Sequence, residues 1–394
     1  MSRLSIKLIF TGFLLSAIVT SCSVSNNLSS LSSSRPYDLN SATLHVEMSA
    51  FGTADLYSLA LTIDRSELLY TRETPSSAFT SNLTLRVDTS SFTISDTLET
   101  DSPRNIDLQF TVHSSSVLNS VLVELTDENR NTAIRKEVVL SNYTVWDNKN
   151  EVIIHGSNVE IGAEILIHSP NVDSWLVEFV NPEKLLPAPP FSGAFNRLDT
   201  ITTMSLGLAY TNWTVLEGCQ KFSDPLSNKS FIIMGRARNF PAPIEVSDLI
   251  DATRYIATRD EYKRMQNASH PKLALDEFWL DCGQSTDKSR LLIDVYYDRV
   301  EEANKFFSGL QEGWRTDRGM VHIIMGVPDR VKRDIWSEYW IYGEEGTSNC
   351  TTFLFRRTSH DLDDNMFRLE RNIIYRTTWD RMVTSWRNGR VHRD

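Results

Sequence analysis

The chain has 394 residues, of which 41% are hydrophobic and 23% are charged, and its formal net charge is −11. This length exceeds what one hydrophobic core usually organises, so we expect two or three domains. The composition is typical of globular domains, and the acidic balance argues against nucleic-acid binding, which needs basic patches that neutralise phosphates.

Residues 1–21 have the pattern of a secretory signal. Arg3 and Lys7 form a basic region, and the apolar core after them is shorter than the roughly 20 residues that span a bilayer. A Val-Thr-Ser run then precedes Cys22 and resembles a bacterial lipobox. This resemblance implies cleavage before Cys22 and acylation of that residue. An ordinary secretory signal and a signal anchor are the alternatives.

The residues after Cys22 indicate where such an anchor would lie. Several acyl chains on one residue hold a protein stably at a membrane, whereas one chain alone is marginal. Ser23 is not the aspartate associated with inner-membrane retention, and no acidic export run follows. We therefore expect an outer-membrane lipoprotein that faces the periplasm. Residues 22–40 are rich in Ser and Asn, which is typical of a flexible tether.

The other cysteines are Cys219, Cys282 and Cys350. An oxidising compartment permits one disulfide among them, and three isolated buried cysteines are the alternative. Their spacings match no metal motif, and the chain has no Gly-x-Ser-x-Gly, His-Glu-x-x-His or P-loop motif. We expect no metal and no cofactor.

Residues 41–144 show a two-residue hydrophobic period, which predicts β-strands. The alternating runs lie at 44–48, 59–63, 83–87, 106–112 and 121–125. Regular short strands with one apolar face predict an antiparallel β-sandwich of immunoglobulin-like shape, with a barrel as the alternative.

Residues 145–245 continue as a second, smaller β domain with less regular strands. The predicted strands lie at 152–154, 163–168, 175–180 and 231–234. The segment 187–190 contains three prolines, which cannot donate to a strand ladder, so we expect a loop or a sheet edge there.

Residues 246–394 change to a helical period, and an α+β domain with a four-stranded antiparallel meander is predicted. The predicted helices lie at 252–266, 272–280, 287–307 and 379–386. The predicted strands lie at 320–325, 335–342, 351–356 and 365–370.

Between the helix predicted at 287–307 and the strand predicted at 320–325, residues with distinctive conformational or chemical properties are denser than anywhere else in the chain. The positions of this run are Gly313, Trp314, Thr316, Asp317, Arg318 and Gly319, and Gly326, Pro328 and Asp329 follow. Gly313 is expected to take a positive φ where the helix stops, and Thr316 is expected to fix the turn. Arg318 is expected to pair with Asp317 or Asp329.

Two interpretations of this run remain open. In the first, every residue serves a structural junction. In the second, Trp314, Asp317, Arg318, His322 and Asp329 converge on a cleft. A paired-carboxylate hydrolase needs its two carboxylates within roughly 5–10 Å. Asp317 and Asp329 lie at opposite ends of the predicted strand, which argues against that activity.

The run at 313–319 resembles the name-giving motif of the GWxTD domain family. Further matches lie on both sides of it, at Phe278-Trp279, Tyr296, Arg299-Val300, Ala303-Asn304, Phe307, Gly326, Pro328-Asp329, Trp336, Tyr339-Trp340, Tyr342, Phe353 and Phe355. The resemblance covers about residues 250–375, and Met320-Val321-His322 departs from it. It implies a bacterial envelope protein with β-rich regions ahead of the domain, and it supplies no catalytic residues.

Aromatic residues are frequent late in the chain, and Trp336, Trp340 and Tyr342 are the candidates for a binding surface. If buried, they fill the core; if exposed, they suggest a glycan or protein surface. We expect a membrane-anchored structural or adaptor protein with an envelope protein partner. A carbohydrate- or peptidoglycan-binding module is the alternative, and a hydrolase of unknown type is the second alternative.

Overall fold

A computed structural model describes residues 44, 46–52, 56–113, 120–141, 143–149, 152–155, 157–169, 172–181, 186–192, 202–209, 211–226, 230–334, 336–358 and 365–390. The signal-like segment, Cys22 and the tether lie outside these residues. None of the helices in the described ranges has the length and apolar character needed to cross a bilayer.

The N-terminal part is a mainly antiparallel β-structure. Its strands are β1 (Val46–Gly52), β2 (Leu56–Asp64), β3 (Phe79–Val87), β4 (Ser90–Leu98), β5 (Asn105–His113), β6 (Ser120–Asp127) and β7 (Thr132–Ser141). They pair in the order β4-β3-β6-β7-β1-β2-β5. Alternate residues of β2, β3 and β6 point inward, and apolar side chains from both halves of the sheet share one core.

The middle part contains two further sheets, and the expected β-rich character is confirmed. Its strands are β8 (Thr144–Asp147), β9 (Val152–Ile153), β10 (Asn158–Glu160), β11 (Glu164–His168), β12 (Trp175–Asn181), β13 (Thr202–Ala209), β14 (Asn212–Thr214), β15 (Gly218–Ser223) and β16 (Ser230–Arg236). One sheet has the order β10-β16-β15-β12-β13 and the other has the order β14-β11-β8-β9. Stacked and edge-on aromatic pairs, including Trp175 with Phe231, fill the core that they share.

The C-terminal part combines helices with a four-stranded antiparallel sheet, as predicted. Its helices are α1 (Val246–Ala252), α2 (Arg259–Gln266), α3 (Pro271–Gly283), α4 (Thr286–Phe307), α5 (Asp317–Met325) and α6 (Arg376–Arg387). Its strands are β17 (Arg330–Arg333), β18 (Ser337–Tyr342), β19 (Thr351–Arg357) and β20 (Phe367–Leu369), paired in sequence order.

One predicted strand is wrong. Residues 320–325 belong to helix α5, so β17 takes its place as the first strand of the meander. The apolar run is buried on nearly every side, which hides its helical period, and its β-branched residues suggest a strand. The flanking residues mark the helix: Thr316 caps its start, and Gly326 ends it with a φ of 81°.

The segment predicted as one helix over 252–266 contains a break. Helix α1 ends at Ala252, a short 3₁₀ turn follows, and α2 starts after Thr258. The Thr258 hydroxyl and the Glu261 carboxylate each bond the other residue's backbone N–H, which forms a capping box. This cap chemistry favours a new helix start over continuation of the first helix.

Polar contacts join the three parts of the chain. Ser49 Oγ and His155 Nδ1 lie 2.6 Å apart, and this hydrogen bond connects the first sheet to the middle part. Arg236 Nη2 donates to the carbonyl oxygen of Gly309 at 2.6 Å, which connects the middle part to the C-terminal part. An ion pair between Lys305 and Glu67 connects α4 to the first sheet.

Candidate functional site

The run of special residues at 313–319, hereafter the signature, joins helix α4 to helix α5. It begins with a 3₁₀ turn over Gly313–Arg315 and passes directly into α5 through Thr316. Gly313, Trp314, Asp317, Arg318 and Gly319 are all buried. The signature is therefore a helix-to-helix junction, whereas the sequence predicted a helix-to-strand junction.

The two glycines serve close approach of backbone segments. A Cβ atom on Gly313 would lie 1.7 Å from the carbonyl oxygen of Ala303, and one on Gly319 would lie 2.0 Å from the carbonyl oxygen of Gly313. Neither glycine has a positive φ, so that expectation for Gly313 is wrong. The 3₁₀ turn packs against α4 at Gly313, and the start of α5 packs against that turn at Gly319, so neither position has space for a side chain.

Trp314 anchors the turn to the helices. Its backbone N–H donates to Asn304 Oδ1 at 3.2 Å, and its carbonyl oxygen accepts from the Tyr255 hydroxyl at 2.6 Å. The Arg315 guanidinium lies 4.1 Å from the centroid of the indole ring. The indole is 2% exposed, so Trp314 is a core residue and offers no surface for a ligand.

Thr316 caps helix α5. Its Oγ1 accepts from the backbone N–H of Gly319 at 3.0 Å and donates to the carbonyl oxygen of Gly313 at 2.7 Å. One side chain thus satisfies a free donor at the helix start and closes the 3₁₀ turn before it.

Asp317 ties the start of α5 to strand β20. Its Oδ2 accepts from the backbone N–H of Leu369 at 2.8 Å, and its Oδ1 accepts from Arg371 Nη2 at 2.6 Å. The side chains of both partners of the Asp317–Arg371 ion pair are 8% exposed. Arg371 also donates to the carbonyl oxygen of Ala188, so the pair extends to the proline-rich segment.

Arg318 makes the second contact between the signature and the sheet. Its Nη2 donates to the carbonyl oxygen of Asn365 at 2.6 Å, and its Nη1 lies 3.5 Å from Glu338 Oε1. The guanidinium also covers the ring of Phe367 at 4.3 Å. The predicted pairing of Arg318 with Asp317 or Asp329 is therefore wrong: its carboxylate partner is Glu338, near the start of β18.

His322 lies on α5 and is fully buried. Its Nε2 lies 2.8 Å from Glu302 Oε2 on α4, and its ring packs edge-on against Phe307. Its Nδ1 has no hydrogen-bond partner among the described residues. This contact links α4 to α5.

Gly326, Pro328 and Asp329 form the turn after α5. The carbonyl oxygen of Gly326 accepts from the Tyr342 hydroxyl at 2.9 Å, and Pro328 is buried. Asp329 Oδ2 accepts from the backbone N–H of Gly343 at 2.6 Å. A nine-residue helix, about 13 Å long, separates Asp317 from this turn, which keeps the two carboxylates too far apart for paired catalysis.

The late aromatic residues mostly fill the core. Trp340 is fully buried and donates its indole N–H to Glu338 Oε2 at 3.0 Å. Tyr342 is half-buried and packs edge-on against Phe353. Trp336 is 63% exposed and is the one member of the candidate set that is open to solvent.

A cleft of about 250 Å³ lies beside the signature, between Arg315, Thr316 and Asp317 and the edge strand β20. We call it the signature cleft. Leu310, Met366, Phe367 and Leu369 are among its apolar lining residues. Its charged lining residues are Arg315, Asp317, Arg356, Arg368, Glu370 and Arg371.

Three residues important to this region were not identified from the sequence. They are Glu338, Asn365 and Arg371. A fourth, Asn304, was recognised only as a position of the family resemblance, without a role. Glu338 is a buried polar residue inside an otherwise apolar pattern, which is a signal that the sequence does contain. Asn365 and Arg371 give no such signal, because only the folded chain brings them to the signature.

Cys219, Cys282 and Cys350 all lie in the described part of the chain, and no disulfide joins any two of them. Burial raises the pKa of the Cys282 thiol to about 11, which keeps it protonated and unreactive at neutral pH. The described residues contain no group of His, Cys, Asp and Glu side chains arranged to hold a metal ion.

The fold and the site define a class: a β-rich chain with several mainly antiparallel sheets, which ends in an α+β region organised by a buried Gly-Trp-x-Thr-Asp junction. The GWxTD domain family matches residues 220–388, so the chain contains a GWxTD domain. The match begins within β15, so it includes two strands of the middle part as well as the α+β region. No curated protein matches the chain.

Proposed function

We propose that the protein is a lipid-anchored component of a bacterial cell envelope, held at the outer membrane through Cys22 and facing the periplasm. The support is the sequence of residues 1–22, a basic and apolar segment that ends in a lipobox-like run. The Ser/Asn-rich tether after Cys22 would let the folded domains stand off the bilayer.

Metabolic labelling with an alkyne fatty acid tests this anchor. We expect label on the native chain, loss of label in Cys22→Ser, and release of that variant from the membrane fraction. Ser21→Ala, which keeps a small residue before the cysteine, serves as the matched control and should remain labelled. An unlabelled native chain in the soluble fraction would refute the proposal.

The folded domains act, in this proposal, as a structural or adaptor component without chemistry of their own. One observation carries this conclusion: the signature joins the helices to the sheet, since the backbone N–H of Trp314 bonds Asn304 on α4 and the side chains of Asp317 and Arg318 bond the sheet edge. Asp317 and Arg318 each bond the backbone of the sheet edge. These side chains therefore serve as a scaffold, and an adaptor needs a scaffold that supports binding surfaces elsewhere on the molecule.

Site-specific photo-crosslinking in living cells tests the adaptor role. A photoreactive residue is placed in turn at Met366 in the signature cleft, at Trp336, and at Leu122 on the N-terminal sheet as the control surface. We expect at least one of the first two positions to give a reproducible adduct with an envelope protein that Leu122 does not give. If neither the Met366 position nor the Trp336 position gives an adduct, the adaptor role is contradicted.

A glycan-binding role is the second candidate, and the exposed indole of Trp336 is the observation that favours it. Trp340 is fully buried, so it makes no contact with a glycan in this conformation. If the role is correct, sedimentation with purified peptidoglycan should be lost in Trp336→Ala and kept in Leu226→Ala, where the replaced residue is 94% exposed. Equal sedimentation of the two variants would exclude the role for this surface.

We further propose that the N-terminal module is an immunoglobulin-like sandwich. Strand β7 pairs with β6 on one side and, over two residues, with β1 on the other, which suits a strand that passes between two layers. The terminal strands β4 and β5 do not pair with each other, which disfavours a closed barrel within the described ranges.

A further inference from the structure

We propose that two copies of the chain associate through the outer edge of strand β4, which joins their first sheets into one continuous antiparallel sheet. The inference goes beyond the proposed function, because it depends neither on the lipid anchor nor on the signature. It is carried by the outward backbone groups of β4, by the protection of the other sheet edges, and by one register in which β4 is complementary to itself.

The backbone of β4 has hydrogen-bonding groups that point away from its sheet. The strand pairs with β3 and, among the described residues, with no other strand. The N–H and the C=O of Thr80 on β3 both bond Thr71, so neither bonds Thr97, the β4 residue opposite Thr80. Bonding direction alternates along a strand. The residues whose backbone groups point outward are therefore Ser91, Thr93, Ser95 and Thr97, and no described residue bonds these groups.

Strand β4 lacks the features that usually protect an edge. Proteins guard edge strands with short length, Pro, Lys, bulges or an unpaired inward charge. Strand β4 has nine residues without Pro, Lys or Arg, and its pairing with β3 has no register shift. Its four outward residues are all exposed Ser or Thr. Its one charged residue, Asp96, forms an ion pair with Arg65 at 2.9 Å, so the edge presents no free charge.

The other edge strands of the described sheets are short or protected. Strands β9, β10, β14 and β20 have two or three residues each, and three of the four residues of β17 are basic. The pairing of β13 with β12 contains a register shift. Strand β5 has Asp107 on its edge, and Arg65 donates to the carbonyl oxygen of Asn105 at 3.0 Å. The contrast singles out β4 as the edge that is open to a further strand.

Apolar side chains flank the same edge on its inner side. Phe92 and Ile94 on β4 are half-buried and pack against the core of the first sheet. The ring of Phe92 lies 4.7 Å from that of Phe110 on β5, so β4 and β5 border the same side of this core. A strand added to β4 would cover the remaining exposed surface of Phe92 and Ile94, which is favourable.

A second copy of β4 is complementary to the first in one antiparallel register. When a two-fold axis passes between the two Thr93 residues, Phe92 of each copy lies opposite Ile94 of the other, and Ser91 lies opposite Ser95. Aromatic–β-branched pairs and Thr–Thr pairs both stabilise neighbouring strands. The outward groups then form about six backbone hydrogen bonds, two for each bonded pair.

Asp96 favours this register over its neighbours. Registers centred on Ile94 or on Ser95 would set Asp96 directly against an apolar side chain. In the register centred on Thr93, Asp96 lies opposite Ser90, a residue that can donate a hydrogen bond. Opposed like charges, which destabilise neighbouring strands, do not occur in it. The occupant that the edge fits best is therefore a second copy of the chain.

The size of this interface predicts a reversible dimer. One added strand of seven residues buries less than the roughly 1,200 Å² that stable complexes bury. We therefore expect a dissociation constant on the order of micromolar. Such a dimer is best detected by trapping it in cells and by measuring purified protein over a range of concentrations.

Cysteine crosslinking of the full-length chain in intact cells tests the interface and its register. Thr93→Cys should give a covalent dimer on oxidation with copper phenanthroline, because bonded opposite residues have Cα atoms about 5.5 Å apart, which a disulfide can span. Ser95→Cys is the matched control on the same edge: its two copies lie about 14 Å apart in this register and should not crosslink. Thr111→Cys on β5 controls for random collision, and the native chain, with Cys350, gives the background.

Sedimentation velocity of the purified full-length chain in detergent measures the association itself. We expect Thr93→Lys to weaken self-association by at least about tenfold, because the two-fold axis sets the two new charges opposite each other. Thr93→Glu should do the same, and an equimolar mixture of the two variants should restore association. Thr111→Lys, at an exposed threonine of β5, is the control and should leave association unchanged. Circular dichroism checks that each variant is folded.

Several results would overturn the inference. They are no covalent dimer of folded Thr93→Cys, equal crosslinking of Ser95→Cys, self-association that survives both charges at Thr93, and a mixture of the charged variants that stays monomeric. Capture of a different polypeptide by Thr93→Cys in place of a second copy would also overturn it. None of these results bears on the adaptor role, which is tested at Met366 and Trp336.

Discussion

At the scale of single residues, the choice of residue in the signature depends on how closely its backbone approaches neighbouring backbone segments. Gly313 and Gly319 lie where neighbouring carbonyl oxygens leave no space for a Cβ atom. The sequence does not show whether a glycine is needed for close approach of backbone segments or for a positive φ, because the residue is glycine in both cases. The motif is thus easy to recognise, while the reason for its glycines appears only in the fold.

Substitution of either glycine should be severe. We expect Gly313→Ala and Gly319→Ala to lower the free energy of unfolding by about 3 kcal/mol or more, because the clash is with backbone that cannot rotate away. The control is Gly346→Ala, where nothing lies within 4 Å and only the φ of 86° is unfavourable; it should cost about 1 kcal/mol. Urea unfolding measures both, and near-native stability of Gly313→Ala would contradict the close-approach explanation.

Asp317 and Arg371 should behave as a coupled buried pair. Asp317→Asn removes the charge but keeps an oxygen for the backbone N–H of Leu369, and we expect a loss of about 3 kcal/mol from the unpaired arginine. The double variant with Arg371→Gln should recover part of this loss, with a coupling energy of about 1–3 kcal/mol. Strict additivity in urea unfolding would show that the pair does not act as a unit.

At the scale of elements, the helix ends explain what holds the α+β domain together. The carbonyl oxygens of Ile323 and Ile324 at the end of α5 accept from Arg299 and from the indole of Trp386. The next residue of α6, Arg387, makes a two-pronged ion pair with Glu261 in the first turn of α2. These contacts connect helices that are distant in sequence.

The Glu261–Arg387 pair predicts a specific acid sensitivity. The Arg387 hydrogen bond, the largest of the influences on this group, lowers the pKa of Glu261 from 4.5 to about 2. A carboxylate with a depressed folded-state pKa stabilises the fold above its unfolded pKa, and that stabilisation is lost as pH falls from 4.5 to about 2.

Glu261→Gln checks this contribution. We expect it to lower the unfolding midpoint at pH 6, and we expect the gap to the native chain to close as pH is lowered towards 2, where both chains lack the charge. Glu277→Gln, an exposed residue on the same part of the domain, is the control and should show no such convergence. A gap that stays constant with pH would mean that the ion pair contributes nothing.

The elements also show how much of the fold the sequence could predict. Helix α4 was predicted within one residue, because one apolar stripe and a Ser285 cap define it. Strands β4 and β7 were missed, because β4 has no fully buried residue and β7 has only one. Helix α5 was mistaken for a strand because burial on all sides removes the periodic signal.

The sequence indicated where the signature lies, but it did not indicate which distant residues the side chains of the signature bond. The run at 313–319 was recognised from its residue types, since Gly, Trp, Thr and Asp carry strong local preferences. The partners of Asp317 and Arg318 lie 54 and 47 residues further along the chain. No local pattern connects them, and a single sequence holds no record of which distant residues meet.

At the scale of the whole molecule, polar contacts connect otherwise separate cores. His155 lies between the first sheet and the middle part, bonded to Ser49. Burial lowers its pKa from 6.5 to about 4; a smaller effect of Asp107 raises the pKa, and a smaller effect of Lys136 lowers it further. The imidazole is therefore neutral in the folded protein at physiological pH.

This connection should weaken in mild acid. A histidine with a depressed folded-state pKa stabilises the fold fully above pH 6.5, and the contribution is lost as pH falls to about 4, because the unfolded chain takes up the proton first. We expect thermal unfolding of the native chain to shift to lower temperature across this window, and His155→Gln to show a smaller shift. His168→Gln, at an exposed histidine of the middle part, is the control. Identical shifts in all three chains would contradict the prediction.

The edge contacts of Asp317 and Arg318 also impose an order on assembly. A polypeptide crosses a membrane or leaves a ribosome from its N-terminus, so the signature arrives well before residues 365–371. Until those residues follow, the aspartate and arginine have no strand to join, and closure of the domain must wait for nearly the last tenth of the chain. A chain cut short before Asn365 would therefore leave Asp317 and Arg318 without the strand edge that they bond.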